Sequence, residues 1–274
     1  MVRFDAYTAT LTGPKTDDLM QILFDQVGLN ATFYETKGFH NFGKRLAIKD
    51  GNGHEFGAVQ YGGHHGDLLM FEVKGEHSQK AVEALRARFE HRVTRVDSCA
   101  DFDAPGSFKR LLKPCTEVKK ARGIMGGKAG DWDDFPEKGR TLYLGSKASP
   151  VRLRLYEKGL QAEYAHLNRP NWVRIEAQVR PKAKTAGEAF SKLDPIAVWG
   201  AGRWTRDIAA KVLEAHVDPH PAGTTYRLSD RETAMRWMCK QYGPHLVSLA
   251  ADLGGWDCLG LTISEIIKDQ AKGR

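Results

Sequence analysis

The sequence lacks the features that mark exported, membrane-spanning or disulfide-stabilised proteins. No run approaches the roughly 18 uninterrupted apolar residues that a membrane span requires. Residues 1–15 mix charged and polar side chains, without the apolar stretch of a signal peptide. The four cysteines are scattered and form no Cys-x-x-Cys pair, so neither a zinc knuckle nor a disulfide framework is expected. These absences predict a soluble protein of a reducing cytoplasm, with no membrane partner.

The composition supplies enough apolar material for a sizeable core, because 41% of the 274 residues are hydrophobic and 27% are charged. The net charge of +7 is concentrated in one segment: residues 107–182 hold 17 basic and 8 acidic side chains. Such a basic field attracts polyanions, and nucleic acid is the commonest polyanion of a cytoplasm. A well-solvated surface explains the same charge, so charge alone leaves both interpretations open.

The predicted elements occur in a similar order twice. The first set comprises a strand at 2–11, a helix from Thr16, strand-like runs within 31–74 and a helix at 78–90. The second comprises a strand at 92–102, a helical stretch at 107–122, strands at 141–144, 151–158 and 172–180, and helices from about 186. Pro114 is expected to interrupt the helical stretch in which it lies.

The fold class predicted from this order is α+β, with two related antiparallel-sheet-plus-helix halves and a helical C-terminal segment. The expected domains are an N-terminal α+β half at 1–90, a catalytic α+β half at 91–218 and the helical segment at 219–274. Pro219 and Pro221 mark the last boundary.

Three strands of the second half alternate between apolar and charged residues. Because successive strand residues point to opposite faces, each strand has one charged face. These faces carry Arg95, Asp97, Cys99 and Asp101; Arg152, Arg154, Tyr156 and Lys158; and Trp172, Arg174, Glu176, Gln178 and Arg180. If the strands are neighbours in one antiparallel sheet with helices behind the apolar side, the charged faces merge into one open surface.

This surface has the side chains of a phosphoryl-transfer centre acting on a phosphodiester. Neighbouring carboxylates repel one another unless a cation lies between them, and oxygen ligands suit Mg²⁺ or Mn²⁺. Arginines bind phosphates through paired hydrogen bonds. Tyr156, with Lys158 on the same face, is the obvious nucleophile, since a nearby cation would help to ionise a phenol whose ordinary pKa is about 10. Cross-strand ion pairs on a solvated sheet, worth roughly 0–1 kcal/mol each, explain the same pattern.

Four motifs occur in order along the second half. They are Arg95-Val-Asp-Ser-Cys-Ala-Asp-Phe102, Thr141-Leu-Tyr-Leu-Gly-Ser146, Arg152-Leu-Arg-Leu-Tyr-Glu-Lys-Gly159 and Trp172-Val-Arg-Ile-Glu-Ala-Gln-Val-Arg180. Together they resemble the replication initiation factors of filamentous phages, a family related to rolling-circle plasmid initiators and some relaxases. The resemblance extends over roughly residues 90–215. It implies an enzyme that nicks and rejoins one DNA strand at an origin through a 5′-phosphotyrosine, leaving a 3′ hydroxyl that primes rolling-circle replication.

The resemblance also implies roles for particular residues. Tyr156 is the implied nucleophile. The implied ligands of a Mg²⁺ or Mn²⁺ cofactor are Asp97 and Glu176, with Asp101 the next candidate. Arg154, Arg174 and Lys158 would contact the scissile phosphate. Arg95, Arg152 and Arg180 of the same face complete the predicted DNA-binding surface, with Tyr143 of a neighbouring strand as a stacking or packing residue or a second nucleophile.

Several interpretations stay open. The expected partner is origin DNA, single-stranded or supercoiled, in the cytoplasm of a bacterial host, and a host helicase and a second copy of the chain are further candidates. The alternative function is a sequence-specific nucleic-acid-binding module or regulator without catalytic activity. The C-terminal helices fit a helix-turn-helix reader, a cover for a sheet or a dimerisation element. Histidine metal ligands are not expected, because no His-hydrophobic-His motif is present.

Overall fold

The computed structural model describes residues 1–134, 138–223 and 230–272. The strands are β1 Val2–Leu11, β2 Thr32–Lys37, β3 Lys44–Lys49, β4 Glu55–Tyr61, β5 Leu69–Lys74, β6 Arg92–Asp103, β7 Gly126–Ala129, β8 Thr141–Leu144, β9 Val151–Glu157 and β10 Trp172–Val179. The α-helices are α1 Thr16–Phe24, α2 Ser78–Arg88, α3 Ser107–Ala121, α4 Lys184–Phe190, α5 Arg203–Ile208, α6 Asp230–Asp252 and α7 Trp256–Lys272.

The strands form one antiparallel sheet in the order β2-β3-β4-β5-β1-β6-β10-β9-β8-β7. The elements β1-α1-β2-β3-β4-β5-α2 and β6-α3-β7-β8-β9-β10-α4 follow the same order along the chain. β1 and β6 pair at the centre of the sheet, from Val2 opposite Ala100 to Thr10 opposite Arg92, which relates the two halves by an approximate two-fold axis. The predicted α+β fold class with two related halves is therefore confirmed. The structure adds that both halves share one continuous sheet.

Helices cover one side of this sheet and bury its apolar face. In the first half Leu23 of α1 and Leu85 of α2 belong to the same buried cluster as Phe71 of β5. In the second half Leu111 of α3 packs in a cluster with Ile175 of β10. Burial of each such side chain contributes on the order of 1.5–3 kcal/mol. The charged residues that alternate with these apolar residues therefore point to the side of the sheet away from α1–α5.

Pro114 lies inside α3, and the helix continues on both sides of it. The prediction that this proline interrupts the helix is therefore wrong. A proline in a helix interior costs about 3 kcal/mol or more. Leu111, Cys115 and Val118 are buried on either side of Pro114 in one cluster, and this packing outweighs the lost backbone hydrogen bond.

The register of the central strands brings the predicted site residues together. Glu176 of β10 lies opposite Arg154 of β9. Arg174 lies opposite Tyr156 on the β9 side and opposite Asp101 on the β6 side. The three charged strands are therefore neighbours, with β10 in the middle.

The C-terminal helices belong to a separate compact unit, because the chain divides into Met1–Thr225 and Tyr226–Arg274. Within the second unit α6 and α7 meet at 109°, where Gly254 adopts a positive φ of 87° that favours glycine. Within the described ranges no helix alone has the length and apolar character of a membrane span, although this bent pair passes on those two criteria together. The predicted domain boundaries at residues 90 and 218 stay predictions.

Candidate functional site

Tyr156 lies on the polar face, in the second half of β9. Its phenol oxygen is 3.4 Å from Oε2 of Glu176, to which the hydroxyl donates. The residue is only 6% exposed. Burial raises the pKa of Tyr156 well above its ordinary value, and the negative charge of Glu176 raises it further. The phenol is therefore protonated and enclosed in this state of the protein.

Two buried carboxylates, Glu176 and Asp97, lie on the same face as this phenol, and Glu176 contacts it. Glu176 accepts hydrogen bonds from Nη2 of Arg154 on both of its oxygens, at 2.6 Å each. Asp97 accepts hydrogen bonds from Arg95 and, at 3.1 Å, from Nε2 of Gln178. Burial raises the pKa of Glu176, and the charge of Asp97 adds to the effect. The two carboxylates are thus close enough to repel each other despite their arginine partners.

Four arginines share the face with this pair of carboxylates, and two of them, Arg95 and Arg154, bind the carboxylates directly. The side chains of Arg95 and Arg154 are 37% and 34% exposed, so both reach the surface. The guanidinium of Arg152 lies 4.2 Å from the ring centre of Tyr143, and its buried Nε has no hydrogen-bond partner. Burial lowers the pKa of Arg180, and the neighbouring charges of Arg95 and Arg152 contribute. Four guanidinium groups against two carboxylates leave a positive surplus that suits a phosphodiester.

A second charged group surrounds Arg174, which is 2% exposed. Its Nε and Nη2 donate to the two oxygens of Asp101 at 2.7 and 2.8 Å, and its Nη1 donates to Asp5 at 2.5 Å. Arg3 also donates to Asp101, at 2.7 Å. Burial would raise the pKa of Asp101, but the hydrogen bonds and charge of Arg174 hold it well below its usual range. Asp101 is therefore an ionised partner of two arginines.

Lys158 lies just beyond the end of β9 and next to this second group. Its ammonium is 4.2 Å from the ring centre of Tyr164 and 5.2 Å from that of Trp172. Burial lowers its pKa, and the charge of Arg174 lowers it further. Its contacts are therefore with aromatic rings, which stabilise cations.

The sequence predicts an open polar face. This prediction is wrong for the centre of the face. Glu176 and Asp97 are 0% and 1% exposed. The guanidinium of Arg154 lies 5.3 Å from the ring centre of Tyr156. Long arginine side chains lie along the face and pair with the carboxylates. They therefore cover carboxylates and a phenol ring that strand alternation alone would leave exposed. The cross-strand ion pairs that the sequence left as an alternative are thus present.

Two residues of the site were not predicted, and both come from β1. Arg3 and Asp5 contact Asp101 and Arg174 respectively. The register between β1 and β6 shifts between Phe4 and Ala6, and this irregularity is where Asp5 lies. The alternation of Arg3 and Asp5 was a visible signal, but it could be used only once β1 was known to pair with β6.

The carboxylates fit a divalent cation only in part. Among the described residues, no group of three or more His, Cys, Asp or Glu side chains is arranged to hold a metal ion. Asp97 and Glu176 form a pair whose mutual repulsion a cation would relieve. Mg²⁺ commonly binds through one or two carboxylates together with water and substrate phosphates, so a pair of carboxylates is a chemically suitable set of protein ligands. Asp101 belongs to the group around Arg174, and its contacts do not place it with the other two.

Comparisons with known proteins identify the family to which the chain belongs. The family model for replication initiation factors matches residues 92–248, more than half of the chain. The chain therefore belongs to the replication initiation factor family, which confirms the family predicted from the four motifs. No curated protein matches the chain.

A solved structure is similar in its fold. It is a rolling-circle replication initiator protein from Geobacillus stearothermophilus, with 18% sequence identity and a TM-score of 0.48. The match covers 73% of this chain and 83% of that chain.

Proposed function

We propose that the protein starts rolling-circle replication by nicking one DNA strand at an origin and rejoining it through a covalent 5′-phosphotyrosine. The observation that carries the proposal is the position of Tyr156: its phenol shares one sheet face with two buried carboxylates and a surplus of arginines. Membership of the replication initiation factor family supports it. The site of action would be the cytoplasm of a bacterial host.

In the nicking step, Oη of Tyr156 would attack the phosphorus of one phosphodiester, and the bond between phosphorus and the 3′ oxygen would break. The phenol loses its proton and the departing 3′ oxygen gains one. The products are a phosphotyrosine at the 5′ end and a free 3′ hydroxyl. Because one phosphodiester is exchanged for another, no ATP is required, and the reverse reaction reseals the strand. Glu176 is the hydrogen-bond acceptor that faces the phenol.

The arginines would hold the phosphate on which Tyr156 acts. Arg95 and Arg154 reach the surface beside the carboxylate pair, and Arg152 and Arg180 lie next to them. Planar guanidinium groups bind two phosphate oxygens at once. Arg174 and Lys158 would add positive charge at the other end of the face, although both are buried. Tyr143 lies beneath Arg152 and would support that side chain or stack on a base.

Asp97 and Glu176 would hold the Mg²⁺ or Mn²⁺ ion. When bound, the cation would stabilise negative charge that develops on the phosphate oxygens. Arg154 is now the partner of Glu176, so the guanidinium would turn to the incoming phosphate when the carboxylate takes another partner. Asp101 would hold Arg174 in position.

Cleavage of a supercoiled plasmid tests the proposal. The plasmid carries the DNA that flanks the coding sequence of this chain, and the reaction contains Mg²⁺ or Mn²⁺. Wild-type protein should produce the nicked form and become covalently attached. Tyr156→Phe should bind the same DNA without attachment. Mass spectrometry of the protein–oligonucleotide adduct should locate the modification on Tyr156.

Tyr143→Phe is the matched control, because it removes a phenol hydroxyl from the adjacent strand of the same face. It should still nick and form the adduct. An adduct on Tyr143, or attachment that persists in Tyr156→Phe, would show that the nucleophile has been assigned to the wrong residue.

The burial of Tyr156 favours a second candidate function, a nucleic-acid-binding module that uses the same face without chemistry. A phenol that is 6% exposed and has a raised pKa is a poor nucleophile in this state. Under this alternative, wild-type protein binds the plasmid but never nicks it with either metal. Recruitment of a host helicase and dimerisation stay predictions.

A further inference from the structure

A basic cavity lies on the helix-covered side of the sheet, on the opposite side from Tyr156. It has a volume of about 240 Å³. Its walls are the C-terminal end of α3, the helix α5 and residues 215–217, with Arg122, Arg203, Arg206 and Asp207 as charged residues. None of these residues belongs to the polar face that carries Tyr156, so the cavity is a separate feature.

The charges of this cavity are unbalanced. Nε of Arg122 donates to Asp207 Oδ2 at 2.7 Å. Asp207 is the one carboxylate among the residues that line the cavity, and Arg122 is its partner. Neither Arg203 nor Arg206 forms an ion pair with any residue in the described part of the chain. The Nε of Arg206 is buried and has no hydrogen-bond partner. Two of the three arginines that line the cavity therefore have no ion-pair partner among the described residues.

The backbone around the cavity departs from regular geometry. After α5 the chain forms a π-helical turn at Ala209–Leu213, followed by Glu214 with a φ of 54°. A non-glycine residue in this left-handed region is strained, and π turns occur frequently at functional sites. Glu214 immediately precedes residues 215–217, so this geometry directs that segment to the cavity wall.

We propose that this cavity binds a phosphate group. Its arginines offer paired N–H donors that match phosphate oxygens, and one of them has a buried donor that needs an acceptor. The volume lies below the roughly 300–1,000 Å³ usual for small-molecule pockets, which suits a phosphate with part of its sugar. The proposal does not depend on the nicking chemistry.

A neighbouring groove gives room for the rest of a phosphorylated ligand. It has a volume of about 440 Å³, lies between α3 and the turn after α5, and shares Arg122 and Asp207 with the cavity. Lys211 and Glu117 pair across it at 3.1 Å. The phosphate could thus come from a DNA strand that follows the groove or from a free nucleotide, and the chemistry recognised is the same.

Titration with phosphate-bearing probes tests the site. The NMR signals of the His216 ring report on it directly, because His216 lines the cavity. The probes are inorganic phosphate, deoxyadenosine monophosphate and a short single-stranded oligonucleotide, all at one ionic strength. We expect a saturable shift of these signals with each probe. Arg203→Ala and Arg206→Ala should each weaken binding about tenfold, the loss of one charge-assisted contact.

Two further variants separate a built phosphate site from general electrostatic attraction. Arg206→Lys keeps the charge without the planar fork and should recover only part of the affinity. Lys113→Ala removes one positive charge from an exposed position on α3 outside the cavity and should bind as wild type does. Arg203 is exposed, so Arg203→Ala is not expected to disturb folding. This variant therefore tests the site even if Arg206→Ala unfolds.

The outcomes are distinct. Tighter binding of the oligonucleotide than of the mononucleotide at this site identifies DNA as the source of the phosphate, and the reverse order identifies a free nucleotide. The proposal is overturned if His216 shows no saturable shift with any probe. It is also overturned if Arg203→Ala and Arg206→Lys bind every probe as tightly as Lys113→Ala does.

Discussion

Replacement of Arg174 by Met should destabilise the protein strongly, because its guanidinium neutralises two carboxylates on a buried part of the polar face. It donates two hydrogen bonds to Asp101 and one to Asp5. The side chain of Arg174 is 2% exposed, and those of Asp5 and Asp101 are 14% and 19% exposed. Methionine keeps much of the side-chain volume while it removes the charge and all three donors.

The size of the effect follows from what remains after the substitution. Removal of one partner from a buried ion pair typically costs about 3–5 kcal/mol. Arg3 still donates to Asp101 at 2.7 Å, so the lower end of this range is expected. In a protein of this size, about 3 kcal/mol lowers the melting temperature by roughly 6–12 °C.

Arg169→Met is the matched control, since it removes one arginine from a solvent-exposed pair. Nε of Arg169 donates to Asp103 at 2.7 Å, and the two side chains are 43% and 34% exposed. Exposed pairs contribute about 0.2–1 kcal/mol. Urea unfolding gives the free energy of unfolding of both variants and the wild type. If Arg174→Met costs no more than Arg169→Met, the network around Arg174 does not stabilise the fold.

The same comparison has a defined pH dependence. Arg174 holds the pKa of Asp101 below its ordinary value against the opposing effect of burial, so in the wild type this carboxylate stabilises the folded state above its unfolded pKa of about 3.9. That stabilisation is lost as pH falls through the lower folded-state pKa. The difference in stability between wild type and Arg174→Met should therefore be largest near neutral pH and shrink below about pH 4. A difference that stays constant down to acid pH would contradict the electrostatic explanation.

The remaining predictions concern the residues around Tyr156. Asp97→Asn and Glu176→Gln should each raise the Mg²⁺ or Mn²⁺ concentration for half-maximal nicking by about tenfold or more, and unchanged metal titrations would refute the ligand role. Because burial raises the pKa of Glu176, the metal-free wild type should lose stability as pH rises above about 4.3 toward that raised value. In urea unfolding, the free energy of unfolding of Glu176→Gln should not fall over this pH range. Parallel pH dependences of wild type and variant would show that Glu176 does not cause the loss. Arg154→Met should weaken DNA binding, and it should speed acetylation of Tyr156 by N-acetylimidazole because the guanidinium no longer covers the ring. Peptide mass spectrometry measures the acetylation rate. Slower or unchanged acetylation would show that Arg154 does not cover the phenol.

Strand alternation predicted the polar face of the second half correctly, because its period of two residues is a local property. Arg154, Tyr156, Arg174 and Glu176 all lie on the face expected, and their register confirms that β9 and β10 are neighbours. The prediction worked where the information lay within one strand and its next neighbours along the chain.

The contribution of Asp5 could not be predicted in the same way. It reaches Arg174 only because β1 pairs with β6 across the centre of the sheet, at a shift of register next to Asp5. Pairing between strands about 90 residues apart is set by how the two halves join, and no local pattern in either strand encodes it. Pro114 was misjudged for a related reason, since tertiary packing on both sides of the residue decides whether α3 continues.

The centre of the polar face is covered because its buried carboxylates require charged partners. Strand alternation does not predict this requirement. A lone carboxylate at the depth of Glu176 would be strongly unfavourable, and pairing with Arg154 reduces this penalty. The same pairing draws the guanidinium over the Tyr156 ring. Under the proposed function, a DNA phosphate would replace Glu176 as the partner of Arg154, and a cation would replace Arg154 as the partner of Glu176. Only the two exchanges together would keep every charge paired. Substrate and cation together would therefore uncover Tyr156, whereas either alone would leave one group of the pair without a partner.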